Sequence, residues 1–298
     1  MALARKSVGQ IARWMDQKAS PLFAEDWDNV GLLVGKRSWK AGPVLVAIDL
    51  TDDALDQAIR LGSGLMITHH PCVFPGGAGP KKELIQRAIS NRVAIFASHT
   101  NFDRCALEVV REAARGLGVK VRGRLLENGQ QGKSSVNAPV SNHHLVRGLG
   151  YGFWGDIPKG QSFSELAENV RILFRVKGLL VTAEKALLSQ FEKVTPGRSR
   201  AKRIAFVAGK GSSFIQSAAS FQCDVFITGE TGYHKALDGM RRGMMVMEIG
   251  HCESERLFLD TVQDWLEEFG LKVIKFEESN QKIVWEPNDF NRKRRRKE

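Results

Sequence analysis

Histidines and acids collect at four places where this sequence is expected to end a buried strand. The stretch LMITHH places two histidines directly after an apolar run, and three later stretches repeat the pattern. The residues concerned are His69 and His70 in LMITHH, His99 and Asp103 in SHTNFD, Glu230 in ITGE, and His251 and Glu255 in GHCESE. Imidazole nitrogens and carboxylate oxygens are the ligands of zinc, iron and manganese sites. The pattern therefore predicts a metal centre.

The size of this set favours two ions over one. Three histidines and two carboxylates of this set already exceed what one tetrahedral ion needs, and they suit two ions bridged by a carboxylate and by a water that the pair acidifies. For any single motif, a satisfied turn or cap residue is the simpler interpretation. The recurrence of such residues at matched strand ends favours the metal centre, because ligands of open α/β sheets bind beyond the carboxyl ends of the strands.

The interval between His251 and Glu255 is typical of one helical turn. If a helix begins just after Gly250, residues four apart lie on the same face and reach a common pair of ions. In the nearby stretch GETGYH, Glu230 and His234 are candidates for a general acid or base. The alternative is that they orient ligands instead of moving protons.

Two similar segments position these residues. VLVAIDL is typical of a strand buried on both faces, Thr51 is a predicted N-cap, and LMIT is the next strand. RIAFVAGKGSSFIQSAASFQCDVFITGE repeats this strand–helix–strand order, so that LMITHH and VFITGE occupy equivalent places. We interpret the two segments as an internal structural duplication.

The composition changes between the two segments. Residues from about 123 to 200 are polar, turn-rich and glycine-rich, and they include one capped amphipathic helix in SFSELAENVRILF. We predict an α/β fold in which duplicated strand–helix–strand units form a discontinuous metal-binding domain (1–122 plus 202–290), with a smaller inserted α+β domain (123–201). Residues 291–298 form a basic tail, which we interpret as a solvated segment instead of a specific nucleic-acid element.

The charge and cysteine content narrow the class of protein. The net charge is +11, to which the tail contributes six positive charges and one negative charge. The rest of the chain therefore also has a net positive charge, which favours an anionic substrate. No apolar run approaches the length of a membrane span, and the first residues lack the apolar core of a secretory signal. Four dispersed cysteines argue against a disulfide framework. We expect a soluble, cytoplasmic protein.

Two further motifs are weaker. A second histidine pair, His143 and His144, follows no strand and is assigned to the surface. The stretch AGKGSSF could present backbone amides to a phosphate, but it lacks the spacing of a P-loop and is equally consistent with a glycine turn.

The chain resembles the Nif-three-like proteins, also called type 2 homologues of GTP cyclohydrolase 1 and dinuclear metal centre proteins. The resemblance rests on AEDWDNVGLLVG, ITHHP, SHTNFD, SFIQSAASFQCDVFITGE and GHCESE, which cover both flanks in family order. The middle of the chain matches more weakly, mainly in GYGFWGDIP.

The resemblance implies a specific site and assembly. It makes the metal ligands His69, His70, Asp103, His251 and Glu255, with Glu255 as the bridge between two divalent ions of zinc, iron or manganese. His99 becomes a near-site residue that hydrogen-bonds a metal-bound water. The family's usual form implies a homohexameric toroid with the metal sites facing an internal cavity.

Cysteines lie beside three of the ligand motifs. Cys72, Cys105 and Cys252 suit tight turns as small, weakly polar residues. The alternative is a softer site, with Cys252 as an extra ligand, that selects zinc or iron.

Two functions remain open at this point. The first is a metal-dependent hydrolase of a nucleotide or a small anionic molecule, with His99 or His234 relaying the proton; the family name implies opening of the guanine ring of GTP, but no guanine-binding element is identifiable. The second is a non-enzymatic metal-binding or regulatory ring protein.

Overall fold

The computed structural model describes residues 6–73, 82–126, 150–187 and 200–277. The elements in chain order are α1 (Val8–Lys18), β1 (Gly31–Val34), β2 (Val44–Ala47), α2 (Asp52–Arg60), β3 (Leu65–Thr68), α3 (Lys82–Ser90), β4 (Ala94–Ala97), α4 (Thr100–Cys105), α5 (Leu107–Gly116), β5 (Lys120–Leu125), β6 (Tyr151–Gln161), α6 (Phe163–Phe174), β7 (Leu180–Thr182), β8 (Ala201–Lys210), α7 (Ile215–Ser220), β9 (Val225–Glu230), α8 (Tyr233–Arg241), β10 (Met245–Glu248), α9 (His251–Glu255), α10 (Leu257–Glu268) and β11 (Val273–Lys275). Short 3₁₀ turns lie at Pro21–Phe23 and Ser212–Phe214.

The strands form two sheets. The first has the order β1-β4-β3-β2-β11, in which β1 is antiparallel to β4 and the other neighbours are parallel. The second has the order β5-β6-β8-β9-β10-β7, in which β8, β9 and β10 are parallel and the outer pairs are antiparallel. The predicted α/β architecture is confirmed.

The duplicated units are visible in this topology. β2, α2 and β3 make one unit, and β8, α7 and β9 make the other; in each, two parallel strands pair side by side. The strands β3 and β9 are buried along their apolar residues, as continuous apolar runs in parallel sheets require. In each unit, the helix connects the carboxyl end of the first strand to the amino end of the second. The residues that follow β3 and β9 therefore lie at corresponding edges of their two sheets.

Local sequence signals explain where the helices begin. The Thr51 side chain accepts a hydrogen bond from Ala54 N, with Asp52 and Asp53 in the first turn of α2. Ser162 and Glu165 form a reciprocal capping box at the start of α6. The caps predicted for these two helices are therefore confirmed.

Apolar side chains cover both faces of each sheet. Ile11 and Met15 of α1 and Phe258 of α10 pack on one face of the first sheet, and Leu55 of α2 lies in the cluster on the other face. The second sheet packs against α5 and α6 on one face and against α7 and α8 on the other. Helices α5 and α10 thus lie in the clusters that join the two sheets. This packing fixes the carboxyl edges of the two sheets relative to each other.

The strands of the predicted insertion join a sheet that the flanks build. β6 and β7 lie within 123–201, yet they pair with β8 and β10, and β5 crosses the predicted boundary at residue 122. The described residues of 123–201 therefore extend the second sheet at its two ends. The domain bounds 1–122 plus 202–290 and 123–201 stay a prediction, and the tail 291–298 lies outside the described residues.

In the described ranges, no helix is long and apolar enough to cross a membrane.

Candidate metal centre

The predicted histidine pair extends β3 at its carboxyl end. His69 N donates to Ala47 O at 3.1 Å and His70 N donates to Ile48 O at 2.9 Å, so the parallel pairing with β2 continues past the strand. The His69 side chain is only 1 % exposed. Because the backbone is hydrogen-bonded up to this point, the two imidazoles leave the sheet in fixed directions.

Four histidines share one arrangement, in which Nδ1 is held by an acceptor. The pairs are His69 Nδ1 with Ser98 O at 3.0 Å, His70 Nδ1 with Asp49 Oδ1 at 2.8 Å, His99 Nδ1 with Asp28 Oδ1 at 2.9 Å, and His251 Nδ1 with Glu230 Oε1 at 3.2 Å. Metal-binding histidines in proteins characteristically donate the second ring N–H in this way, which fixes the tautomer and the ring orientation.

The buried carboxylate of Glu255 lies at the centre of the group. Its Oε1 is 3.0 Å from His251 Nε2 and 3.6 Å from His69 Nε2, and its Oε2 is 3.3 Å from His70 Nε2. Asp103 Oδ1 is 3.7 Å from His69 Nε2. All five predicted ligands therefore converge, and the two oxygens of Glu255 face different histidines, as a bridging carboxylate requires.

Glycines allow α9 to approach this point. The helix begins directly after Gly250, whose φ is +99°, so that His251 lies at its mouth and Glu255 one turn in, as predicted. Gly209 has a φ of +65°, and a Cβ atom there would collide with Glu255 Oε1. Gly229 packs equally closely on Ser254 and on the backbone of His251. Any side chain at either glycine would push α9 away from the strand ends.

The acidic and imidazole side chains of the centre strongly shift each other's pKa. Burial alone would raise the pKa of Glu255, but the charge of His69 and hydrogen bonds from the histidines outweigh burial and hold this pKa well below its usual range. Burial alone would lower the pKa of His70, but hydrogen bonds to Asp49 and Glu255 raise it to about 11. The centre thus keeps the Glu255 carboxylate ionised and gathers positive charge around it.

The residues fit metal binding on two independent grounds. His69 Nε2 is buried, and its nearest acceptors, Glu255 Oε1 and Asp103 Oδ1, lie 3.6 and 3.7 Å away, which is beyond hydrogen-bond distance and costly for a polar atom unless a further group binds it. In addition, two sets of three donors lie within 4.8 Å of one another: His69, His70 and His99, and His70, His251 and Glu255. The shared His70 makes the two sets adjacent.

Comparison with known proteins identifies the family. The model of the family Duf34/NIF3 (NGG1p interacting factor 3) matches residues 6–282, which is nearly the whole chain. The chain belongs to the Duf34/NIF3 family.

The relatives and solved structures agree with this assignment. The chain is 28 % identical over 239 residues to the GTP cyclohydrolase 1 type 2 homolog of Clostridium acetobutylicum, covering 78 % of each chain. It is 26 % identical over 292 residues to NGG1-interacting factor 3 of Saccharomyces cerevisiae, covering 92 % of this chain and 95 % of that one. In fold it is similar to the hypothetical protein SA1388 of Staphylococcus aureus, with a TM-score of 0.72, 21 % identity, and coverage of 95 % and 100 %.

The remaining predicted residues of this Duf34/NIF3 chain lie in different places. Glu230 hydrogen-bonds His251, which favours the orienting role over a general acid or base. His234 is exposed on the first turn of α8, where its ring contacts Tyr233. Cys252 Sγ lies 4.0 Å from Asp49 Oδ2 and belongs to neither set of three donors. Glu230 therefore supports a donor residue, whereas His234 and Cys252 lie outside both donor sets.

The other sequence motifs are resolved in part. In AGKGSSF, Gly209 N donates to Ser254 Oγ and Gly211 N donates to Glu230 O, so these amides are already engaged and the glycine-turn interpretation is favoured. The pair His143 and His144 lies outside the described residues.

Sequence reasoning missed two carboxylates of the centre. Asp49 follows β2 and holds His70, and the fully buried side chain of Asp28 holds His99. Burial alone would raise the pKa of Asp28, but hydrogen bonds from His99 and Thr100 lower it to about 2, so it stays ionised. Asp49 carried the same signal as the others, a polar residue directly past a buried strand. Asp28 instead precedes β1, at the amino end of a strand, and had no such signal.

Proposed function

We propose that this protein is a metal-dependent hydrolase with two divalent ions per chain, zinc, iron or manganese, acting on a nucleotide or a related small anionic molecule. The observation that carries the proposal is the convergence of three histidine Nε2 atoms and two carboxylates on one partly buried point, with Glu255 between them. Buried charged groups are stable when they are paired or bind a metal, and a metal centre would satisfy all of these donors together.

The contacts suggest an assignment of residues to two ions. His70, His251 and Glu255, which form one of the donor sets, would hold one ion, and His69, Asp103 and Glu255 would hold the other. When bound, such a pair supplies an acidified water and a clamp for a transferring oxygen. The protein's own part is to fix the imidazole tautomers through Asp49, Glu230 and Ser98 O.

We assign proton transfer to His99 and not to His234. The Nδ1 of His99 is held by the ionised, buried Asp28, which would stabilise the imidazolium formed when the other ring nitrogen takes a proton. The His99 ring lies 5.2 Å from that of His69 and 5.4 Å from that of His70, between centroids. His234 has no such carboxylate partner among the described residues.

The substrate class rests on charge and on kinship. The net charge of +11 favours anionic molecules, and a relative 28 % identical is named a GTP cyclohydrolase 1 type 2 homolog. We propose by the same kinship that the chain assembles as a homohexameric toroid, which light scattering of the purified protein tests directly.

The test of the function uses protein purified without chelator and loaded with zinc, manganese or iron. Elemental analysis should give two ions per chain, and GTP, other nucleotides and simple phosphoesters should be assayed for turnover. His99→Gln should lower kcat by roughly 100-fold or more with the metal content retained, since general acid–base catalysis contributes 10²–10⁴-fold. His234→Gln is the matched control and should leave kcat unchanged. Fully loaded protein that turns over none of these substrates would refute the hydrolase and favour the regulatory ring protein.

A further inference from the structure

Trp27 is an exposed indole held on a fixed turn beside the metal centre. Its side chain is 57 % exposed. Exposed apolar residues are common on proteins and carry no meaning singly. What distinguishes Trp27 is its position, because its ring lies edge to face against His99, with 6.1 Å between the centroids and an interplanar angle of 75°.

The turn that carries Trp27 is rigid. Asp28 N donates to Glu25 O at 2.9 Å, and Glu25 N donates to Thr100 Oγ1 at 3.0 Å. The buried Asp28 carboxylate accepts hydrogen bonds from His99 and from Thr100 N. Asn29 Nδ2 donates to Val73 O at 2.8 Å, which ties the turn to the segment after His70. These bonds fix the backbone that carries the indole, which lowers the conformational entropy lost when the indole binds a ligand.

The neighbouring rings connect Trp27 to the centre. His99 lies between the indole and His70, with successive centroid distances of 6.1 and 5.4 Å. The apolar side chain of Val73 is also exposed, on the segment that Asn29 ties to this turn, and it adds to the apolar surface of Trp27. A molecule whose charged group is bound at the centre would therefore extend its other end over this apolar rim.

We propose that Trp27 is a stacking platform for the planar heteroaromatic ring of the substrate, whose anionic group faces the metal ligands. This inference rests on the proposed function, and it adds the part of the substrate that the ligand set does not select. Stacking of a base on an aromatic side chain is tolerant of base identity, since every base has a π-face. The platform therefore selects nucleotides over sugar phosphates without distinguishing guanine from adenine.

The experiment compares four probes, each of which carries the heteroaromatic ring, the phosphate or both. GMP and AMP carry a ring and a phosphate, ribose 5-phosphate carries only the phosphate, and guanosine carries only the ring. Dissociation constants are measured by calorimetry on metal-loaded protein. The parent protein should bind GMP and AMP with similar affinity and roughly 5- to 100-fold more tightly than ribose 5-phosphate. Guanosine should bind more weakly than GMP.

Variants of Trp27 test whether this side chain causes the preference for nucleotides over ribose 5-phosphate. Trp27→Ala should bind GMP, AMP and ribose 5-phosphate with nearly equal affinity, and Trp27→Phe should keep part of the preference. Metal content should stay unchanged in both. Tyr233→Ala is the matched control, because Tyr233 is 74 % exposed and contacts His234 instead of the centre, so it should keep the full preference.

The outcomes separate this inference from the proposed function. If the parent protein binds nucleotides and ribose 5-phosphate equally, or if Trp27→Ala keeps the preference, the stacking platform is wrong while the anion-binding centre stands. If Trp27→Ala dissociates the assembly and leaves ligand affinity unchanged, the indole is a contact between copies and the inference is overturned. If none of the probes binds the loaded protein, the nucleotide substrate and the platform both fall.

Discussion

The two strand–helix–strand units supply the metal centre in different ways from equivalent positions. In the first unit, β3 ends in LMIT and the next two residues are the histidines themselves. In the second unit, β9 ends in ITGE, and Gly229 stands where donors would be expected. There the donors arrive one strand later, on α9, after β10 has ended. The first unit therefore places its donors on a sheet edge, whereas the second half places them on a helix, and Asp103 is added to the first half from the short helix α4.

This difference shows what each kind of support requires. The strand ends of the first unit need only continued backbone pairing to aim the imidazoles. A helix must instead be brought close to the sheet edge, and Gly209 and Gly229 make that approach possible by leaving no side chain in the way. In the second unit, glycines that leave room for a helix therefore take the place of the histidines that follow the strand in the first unit.

The largest expected effect follows from substituting Glu255, whose carboxylate meets the histidines that follow β3. Glu255→Gln keeps the shape of the side chain but removes the charge that offsets two dications, so both ions should be lost together. The loss of affinity should exceed the roughly 10- to 100-fold typical of changes outside the ligand shell. Elemental analysis after dialysis, with circular dichroism to verify the fold, measures the effect. Loss of only one ion would contradict the bridging role.

Two variants frame that result. Asp103→Asn should weaken mainly one ion, because Asp103 contacts His69 and would be a terminal ligand. Glu253→Gln changes a carboxylate on the same short helix that lies in neither donor set, and it should retain both ions.

A second prediction tests the close approach of α9. Gly209→Ala should lower metal affinity because its Cβ would collide with Glu255 Oε1. The left-handed backbone also destabilises alanine by about 1–2 kcal/mol. Gly62 has nearly the same φ, +64° against +65°, but an added Cβ there meets nothing within 4 Å. Gly62→Ala should therefore lose a similar free energy of unfolding and keep its ions. Equal metal loss in both variants would attribute the effect to backbone strain alone.

Much of this centre could be predicted from residue type and spacing. His69 and His70 follow an unbroken apolar run, and the interval from His251 to Glu255 needs only a helix starting after Gly250, which the structure has. The predicted strand–helix–strand order of the second segment also corresponds to β8, α7 and β9, whose strands pair in parallel. In each case, the information is local to about ten residues.

What could not be predicted depends on contacts distant in sequence. Asp28 meets His99 across 71 residues, and Glu255 meets His69 across the two sheets, which no periodicity records. The pairing of β6 with β8 was missed because glycine-rich, polar sequence is typical of a separate unit as well as of strands near a sheet edge. That the converging residues bind ions remains a prediction.

A third prediction concerns pH. The pKa of His70 is raised to about 11 in the protein without metal, so its ring is protonated at neutral pH and must lose a proton when Nε2 binds an ion. Metal affinity should therefore rise about tenfold per pH unit between pH 7 and 9, for each proton released. An unperturbed histidine would be neutral across this range and would give almost no slope. Calorimetry in two buffers of different ionisation enthalpy counts the protons, and a flat profile would contradict the raised pKa.

The smallest expected effect compares the orienting carboxylates of the two halves. Asp49 holds His70 at 2.8 Å with a side chain 38 % exposed, and Glu230 holds His251 at 3.2 Å with a side chain 47 % exposed. Asp49→Asn and Glu230→Gln each keep an acceptor oxygen but remove the charge that makes the imidazole more basic. Asp49→Asn should weaken metal binding roughly 10-fold or more, and Glu230→Gln should weaken it less, because its longer contact is more screened by solvent. Competition with a chelating dye measures both. If Glu230→Gln proved the more damaging, the helix-borne half of the centre would depend more on its orienting residue than the strand-borne half, since α9 then could not hold His251 in place without it.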